Sequence, residues 1–358
     1  MNKKMLLSVV LAALVLLSGC SLEKIDSVVD GMQTILEVNG EIVTKNEFNY
    51  QYNYNYYIES YYAQLMSQLG GDGTVDDTAV LNETVSGFIQ SMVLAQKIGE
   101  KGFDQFSAED EAAIAAEAQA SYDAMLESIK ASDFASSELT GEALDKAVKA
   151  TAEQNGYTLD YYLTTAKGNK SLSLLKAAVT ENVTVSDAEL QAALDEKVAA
   201  EKAAYASDPA AYGKAANAGE VTYYTPAGYR SIKVITVAKE DADALATRIA
   251  AGESFDTLSD APASYVVTNG STDVDEAIVN AAMALTEKGA VSPVVETENA
   301  AVLVQYVDDV AEATADLEFA RAQLLDSMIA AAKDTTYNTA VSEWISAAKV
   351  TTYLDRLN

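Results

Sequence analysis

Residues 229–237 read Tyr-Arg-Ser-Ile-Lys-Val-Ile-Thr-Val, a run in which β-branched side chains recur with period two, and it predicts a β-strand. The period then changes. Ala242, Leu245, Ala246, Ile249 and Ala250 recur at three and four residues and predict an amphipathic helix closed by Gly252. A second strand is expected over 263–267, before the turn Asn269-Gly270. A helix over 275–285 and closing strands over 291–295 and 301–307 complete a small β-α-β-α-β-β sheet domain.

Elsewhere the pattern is mostly helical. Apolar runs flanking Asn39-Gly40 predict a hairpin from residue 35, and Thr44-x-x-Glu47 is a capping box for a helix over 45–68. That helix is apolar on two faces. At about 100° per residue, Phe48, Tyr52, Tyr56, Tyr62 and Met66 share one, and Tyr50, Tyr54, Tyr57, Ile58, Tyr61 and Leu65 share the other. Either the helix is sandwiched in a core, or Tyr50, Tyr54, Tyr57 and Tyr61 form a cradle for client chains, tyrosine offering apolar area and a polar tip at low entropic cost. The loop 70–77 lacks the alternating acids and closing glutamate of a calcium site. Helical patterning runs from 78 to 198, with segments at 138–154, 158–166 and 171–178 and a start at Ser186-x-x-Glu189. Pro209, Gly213, Gly219, Pro226 and Gly228 mark 205–228 as a linker. Two last helices are expected at 314–333 and 337–349, with Trp344 in the core.

Several stretches carry a family resemblance. The segment 250–259, Ala-Ala-Gly-Glu-Ser-Phe-Asp-Thr-Leu-Ser, resembles the connection after the first helix of parvulin-type peptidyl-prolyl isomerases. Glu276-Ala277 through Leu285, followed by Lys-Gly-Ala-Val-Ser-Pro-Val at 288–294, is similar to their last helix and turn. The segments 38–48 and 183–190 resemble SurA/PrsA-type extracytoplasmic foldases. The resemblance implies an α+β protein: a mainly helical SurA-like chaperone body at 35–204, a parvulin-like antiparallel-sheet domain inserted at 229–312, and C-terminal helices at 313–358 returning to the body. It places the family's two histidines at Val234 and Val302, its proline pocket near Ile278 and Met283, and its acidic or thiol group at Asp260. The chain has no histidine. The parvulin-like domain is therefore expected to be degenerate.

The N-terminus adds a location. Lys3 and Lys4 precede an apolar stretch over 5–17, and Leu17-Ser18-Gly19-Cys20 resembles the lipobox of bacterial lipoproteins, so 1–19 is expected to be a signal peptide and 20–34 a lipidated tether. Cys20 would carry the diacylglycerol anchor, with palmitate-type chains holding the protein on the extracytoplasmic side of the cell membrane. It is the only cysteine, so intrachain disulfides are excluded. The formal charge of −30 becomes −32 once Lys3 and Lys4 are removed, which excludes nucleic acid as a partner and reads either as a merely solvated acidic surface or as a preference for basic unfolded clients.

Chemistry is constrained by what is missing. Without histidine there is no nucleophile–histidine pair, and no P-loop or dinucleotide-binding glycine motif occurs. No cofactor and no metal are expected. Prolyl isomerisation breaks no covalent bond, so an apolar pocket could assist it. The expected function is a membrane-anchored folding factor that binds unfolded or newly exported polypeptides, with little or no prolyl isomerase activity. An active parvulin-type isomerase is the first alternative, and a non-enzymatic surface-binding or envelope-structure lipoprotein the second. The sequence leaves the oligomeric state open.

Overall fold

The computed structural model describes residues 29–259 and 261–357; the expected signal peptide 1–19, Cys20 and Asp260 lie outside the described residues. The fold is α+β, mainly helical with small antiparallel sheets. The described residues divide into two compact units, one of those up to Val183 together with those from Lys333 onward, the other of those between Thr184 and Ala332.

In the first unit β1 (Thr34–Val38) and β2 (Glu41–Thr44) form a hairpin. Asn39 and Gly40 both have positive φ, 52° and 94°, the left-handed pair that a two-residue hairpin turn uses. Thr44 and Glu47 then cap α1 (Lys45–Gln68) reciprocally: Glu47 N donates to Thr44 Oγ1 at 3.4 Å, and Thr44 N to Glu47 Oε2 at 2.8 Å. α2 (Asp77–Lys101) starts on the Asp76 cap and ends at Gly102 in the left-handed conformation. It runs back along α1, with Phe48 stacked on Phe88 at 5.7 Å and Asn55 Nδ2 donating to Thr84 Oγ1 at 2.9 Å. α3 (Ala108–Ser132), α4 (Gly141–Gln154) and α5 (Leu159–Val179) follow. The helices expected at 158–166 and 171–178 are this single α5. Ala166, Ser171 and Leu175 bury a continuous face, which outweighs the cost of about 1 kcal/mol that Gly168 imposes.

In the second unit α6 (Asp187–Ser207) opens on the Ser186–Glu189 capping box and packs Leu190, Leu194 and Val198 around Tyr223, Ala320 and Leu324. The stretch 205–228, expected as a linker, holds the end of α6, then α7 (Ala211–Ala218) and β3 (Tyr224–Thr225). Its glycines and prolines punctuate short elements, and its tyrosines bury them: Tyr212 meets Tyr205 at 5.6 Å and Tyr229 at 4.9 Å.

Then comes the sheet domain: β4 (Arg230–Val237), α8 (Ala242–Ala250), α9 (Phe255–Leu258), β5 (Ala263–Val267), α10 (Glu276–Ala284), β6 (Val295–Glu296) and β7 (Ala301–Asp309). The sheet is antiparallel throughout, in the order β5-β4-β7-β6. Both faces are covered, because side chains alternate across it. Ile232, Val234, Val302 and Val304 pack with α10, and Ile235 and Leu303 with Leu245 and Phe255 of α8 and α9. β6 is shorter than the strand expected over 291–295. Pro293 has no N–H to give the ladder, and Val291 keeps only an isolated bridge to Gln305.

β8 (Ala313–Thr314) pairs with β3, and α11 (Leu317–Ala347) is one helix where two were expected. The interval Asp334-Thr335-Thr336 contains only weak helix formers, with no glycine or proline to stop the helix. α11 begins in the second unit and ends in the first, where Val341, Trp344 and Ile345 pack around Leu94, Ile98 and Leu175. β9 (Val350–Thr352) pairs with β1, so the C-terminal strand completes the N-terminal hairpin as the sheet β2-β1-β9.

Candidate functional site

α1 is buried on one side only. Phe48 is its single fully buried residue; Tyr52 and Asn55 are half-buried on the same side. The opposite side faces solvent. Tyr50 is 68%, Tyr54 46%, Tyr57 67% and Tyr61 57% exposed, so the sandwiched helix is not what the structure shows. Tyr56, Tyr62, Leu65, Met66 and Leu69 are exposed as well, so the second half of the helix presents apolar surface most of the way round.

Helix geometry turns the four tyrosines into a row. At 100° and 1.5 Å per residue they fall within an arc of about 60° and along about 17 Å of axis, the length of some five extended residues. The face is nearly free of charge. Between Phe48 and Leu69 the only ionised side chain is Glu59, in a chain with 54 acidic and 24 basic residues. Asn53 and Gln64 are exposed along one edge of the row, where their amides can pair with a peptide backbone. Such a surface offers ring faces and amides, and hardly any charge, for contact.

Of the other sequence-predicted residues, the sheet domain brings together Val234, Val302, Ile278 and Met283, while Asp260 lies outside the described residues. Val234, Val302 and Ile278 belong to one buried cluster under α10, with Met283 packed against it. Val234 lies opposite Val304 across β4 and β7, and Val302 opposite Thr236 and Val295. At 2% exposure each, Val234 and Val302 are packing residues, and their side chains can neither donate nor accept a hydrogen bond. Among the described residues no group of three or more Cys, Asp or Glu is placed to hold a metal ion.

Arg230 is the residue that sequence reasoning missed. Its Nη1 donates to Ala282 O at 2.8 Å, Met283 O at 3.1 Å and Leu285 O at 2.7 Å, satisfying the last carbonyls of α10. The guanidinium lies 4.5 Å over the Tyr306 ring. Asp309 beside Tyr306, together with burial, holds that hydroxyl above the usual tyrosine range. An arginine at a strand start gives no signal of which helix end it will reach.

No family model matches the sequence, and no curated protein matches it. Solved structures show a coarse likeness to SurA-like chaperones and PrsA foldases. A structure from work on the SurA-like chaperones PEB4 and Cj1289 of Campylobacter jejuni has 11% identity and a TM-score of 0.33, covering 89% of this chain and 98% of that one. Foldase PrsA of Streptococcus pneumoniae has 14% identity and a TM-score of 0.23, with coverage of 88% and 93%. PrsA of Bacillus subtilis has 17% identity and a TM-score of 0.21, with coverage of 88% and 91%. At these scores the chemistry has to come from this chain's own residues.

Proposed function

We propose that the chain is an extracytoplasmic folding factor that holds unfolded polypeptides on the tyrosine row of α1 and has little or no prolyl isomerase activity. The carrying observation is the exposure of Tyr50, Tyr54, Tyr57 and Tyr61 on a nearly uncharged face of an otherwise strongly acidic protein. Apolar area left in water disfavours the free state unless something covers it, at about 25 cal/mol per Å². The acidic remainder of the surface repels other copies and keeps the chain soluble while that face stays open. A lipid anchor at Cys20, on the extracytoplasmic side of the membrane, fits the Leu-Ser-Gly-Cys segment. Among the described residues no helix is long and apolar enough to cross a membrane. In the sheet domain, hydrocarbon at Val234 and Val302 leaves a substrate carbonyl without the hydrogen-bonding pair that isomerisation of this type would use. The domain is then kept for its shape.

The experiment pairs an aggregation assay on a chemically unfolded client with a protease-coupled assay on a proline tetrapeptide. The protein should suppress aggregation and leave the isomerisation rate at its uncatalysed value, and replacing Tyr50, Tyr54, Tyr57 and Tyr61 together by serine should abolish suppression without unfolding the chain. Suppression that survives the quadruple change would refute the role of the row. Isomerisation above background, lost on placing tryptophan at Met283, would refute the non-catalytic reading.

A further inference from the structure

The chain contains three Asn-Gly pairs, Asn39-Gly40, Asn155-Gly156 and Asn269-Gly270, and all six residues are exposed. Exposure therefore does not distinguish them; hydrogen bonding does. Asn39 is held by its side chain at both ends: Oδ1 accepts from Lys349 N at 2.8 Å, and Nδ2 donates to Gln96 Oε1 at 2.8 Å. At the second pair the glycine is engaged, since Gly156 N donates to Glu153 O at 3.0 Å where α4 ends. At the third, neither the Asn269 side chain nor the Gly270 N–H has a hydrogen-bond partner among the described residues. Gly270, at φ 91°, occupies the third position of a turn closed by Ser271 N donating to Thr268 O at 3.1 Å.

From this contrast we infer that Asn269 is a site of spontaneous modification in the native protein, while Asn39 and Asn155 are protected by the fold. The backbone nitrogen of Gly270 attacks Cγ of Asn269. A new C–N bond forms and the Cγ–Nδ2 bond breaks, and ammonia leaves with the proton that the nitrogen loses. Water then opens the resulting succinimide at one of its two carbonyls and leaves aspartate or isoaspartate. Glycine suits the attack because no Cβ crowds its nitrogen. Either product puts a new carboxylate in the turn between β5 and α10, where Thr268 Oγ1 donates to Gly228 O at 3.0 Å, and isoaspartate also lengthens the main chain there by one methylene.

The test is incubation of the full chain at mildly alkaline pH, with samples digested and the three peptides followed by mass spectrometry for exchange of an amide for an acid. The native protein should convert at Asn269 about tenfold faster than at Asn39 or Asn155, the factor one retained hydrogen bond is worth in a rate. In concentrated urea the three rates should converge, and Asn269→Gln should remove the fast site. Equal native rates, or Asn39 or Asn155 leading, would overturn the inference. So would a native ranking that persists in urea, since flanking sequence and not the fold would then set it.

Discussion

Replacing Arg230 with alanine removes the side chain that closes α10. One nitrogen, Nη1, serves the carbonyls of Ala282, Met283 and Leu285, so the loss is that of one strong charged donor, not of three independent bonds. A hydrogen bond to a charged group contributes about 1.5–3 kcal/mol. The contact with the Tyr306 ring adds about 0.5–1 kcal/mol. With only 20% of the Arg230 side chain exposed, solvent screens little of this, and the expected loss is about 3 kcal/mol. Arg230→Lys keeps the charge but not the planar fork, and about half the loss is expected. Urea unfolding followed by two probes measures it. The only tryptophan, Trp344, packs in the first unit, so its fluorescence reports that unit, while hydrogen exchange of peptides from β4 and α10 reports the second. At a slope of about 2 kcal/mol per molar urea, the second-unit midpoint should fall by about 1.5 M while the Trp344 transition stays in place. A fall of less than about 0.3 M would show that Arg230 does not hold the end of α10 in place.

Three further outcomes are expected, the first from the sequence and the others from the structure. Cys20→Ser should release the protein from membranes in soluble form; wild-type protein with an unmodified Cys20 in a membrane-free fraction would remove the anchor. Deleting 184–332 should leave a cooperatively folding helical unit with an unchanged Trp344 spectrum, because Lys176 and Asp334, bridged at 2.5 Å, bring the two cut ends within reach of a short linker; a protease-sensitive product would show that the units depend on each other. Burial, reinforced by Glu201, pushes the Tyr205 hydroxyl up to about 12. A raised pKa gives stability that is complete below the unfolded value near 10 and lost as pH rises toward 12, so the second unit should weaken across that window and Tyr205→Phe should flatten the loss; an unchanged alkaline limb in the variant would assign it elsewhere.

Much of the architecture is legible in the sequence because local chemistry fixes it. Asn39-Gly40, the Thr44–Glu47 and Ser186–Glu189 boxes, and the period change between Val237 and Ala242 each satisfy a backbone requirement within a few residues. What sequence reading misses depends on partners far along the chain. Residues 205–228 look like a linker by their prolines and glycines, yet Asn217 pairs its amide with both Val266 N, at 2.7 Å, and Val266 O, at 3.1 Å, and so fastens α7 to the outer strand β5. Gly168 looks like a break, and the buried face it interrupts overrides it. The candidate site divides the same way: periodicity shows that Tyr50, Tyr54, Tyr57 and Tyr61 share a face, but only the packing of Phe48 on Phe88 decides that the face is turned to solvent.

Binding of unfolded chains along that face can be read out by site-specific photocrosslinking. A photoreactive phenylalanine analogue placed at Tyr57 or Tyr61, and as a control at the exposed Glu117 of α3, is irradiated with a radiolabelled unfolded client at low and high salt. Client adducts are expected from positions 57 and 61 at both salt concentrations, since the row is nearly uncharged, and none above background from 117. Equal labelling from all three positions, or adducts at 57 and 61 that vanish in high salt, would contradict binding along the row.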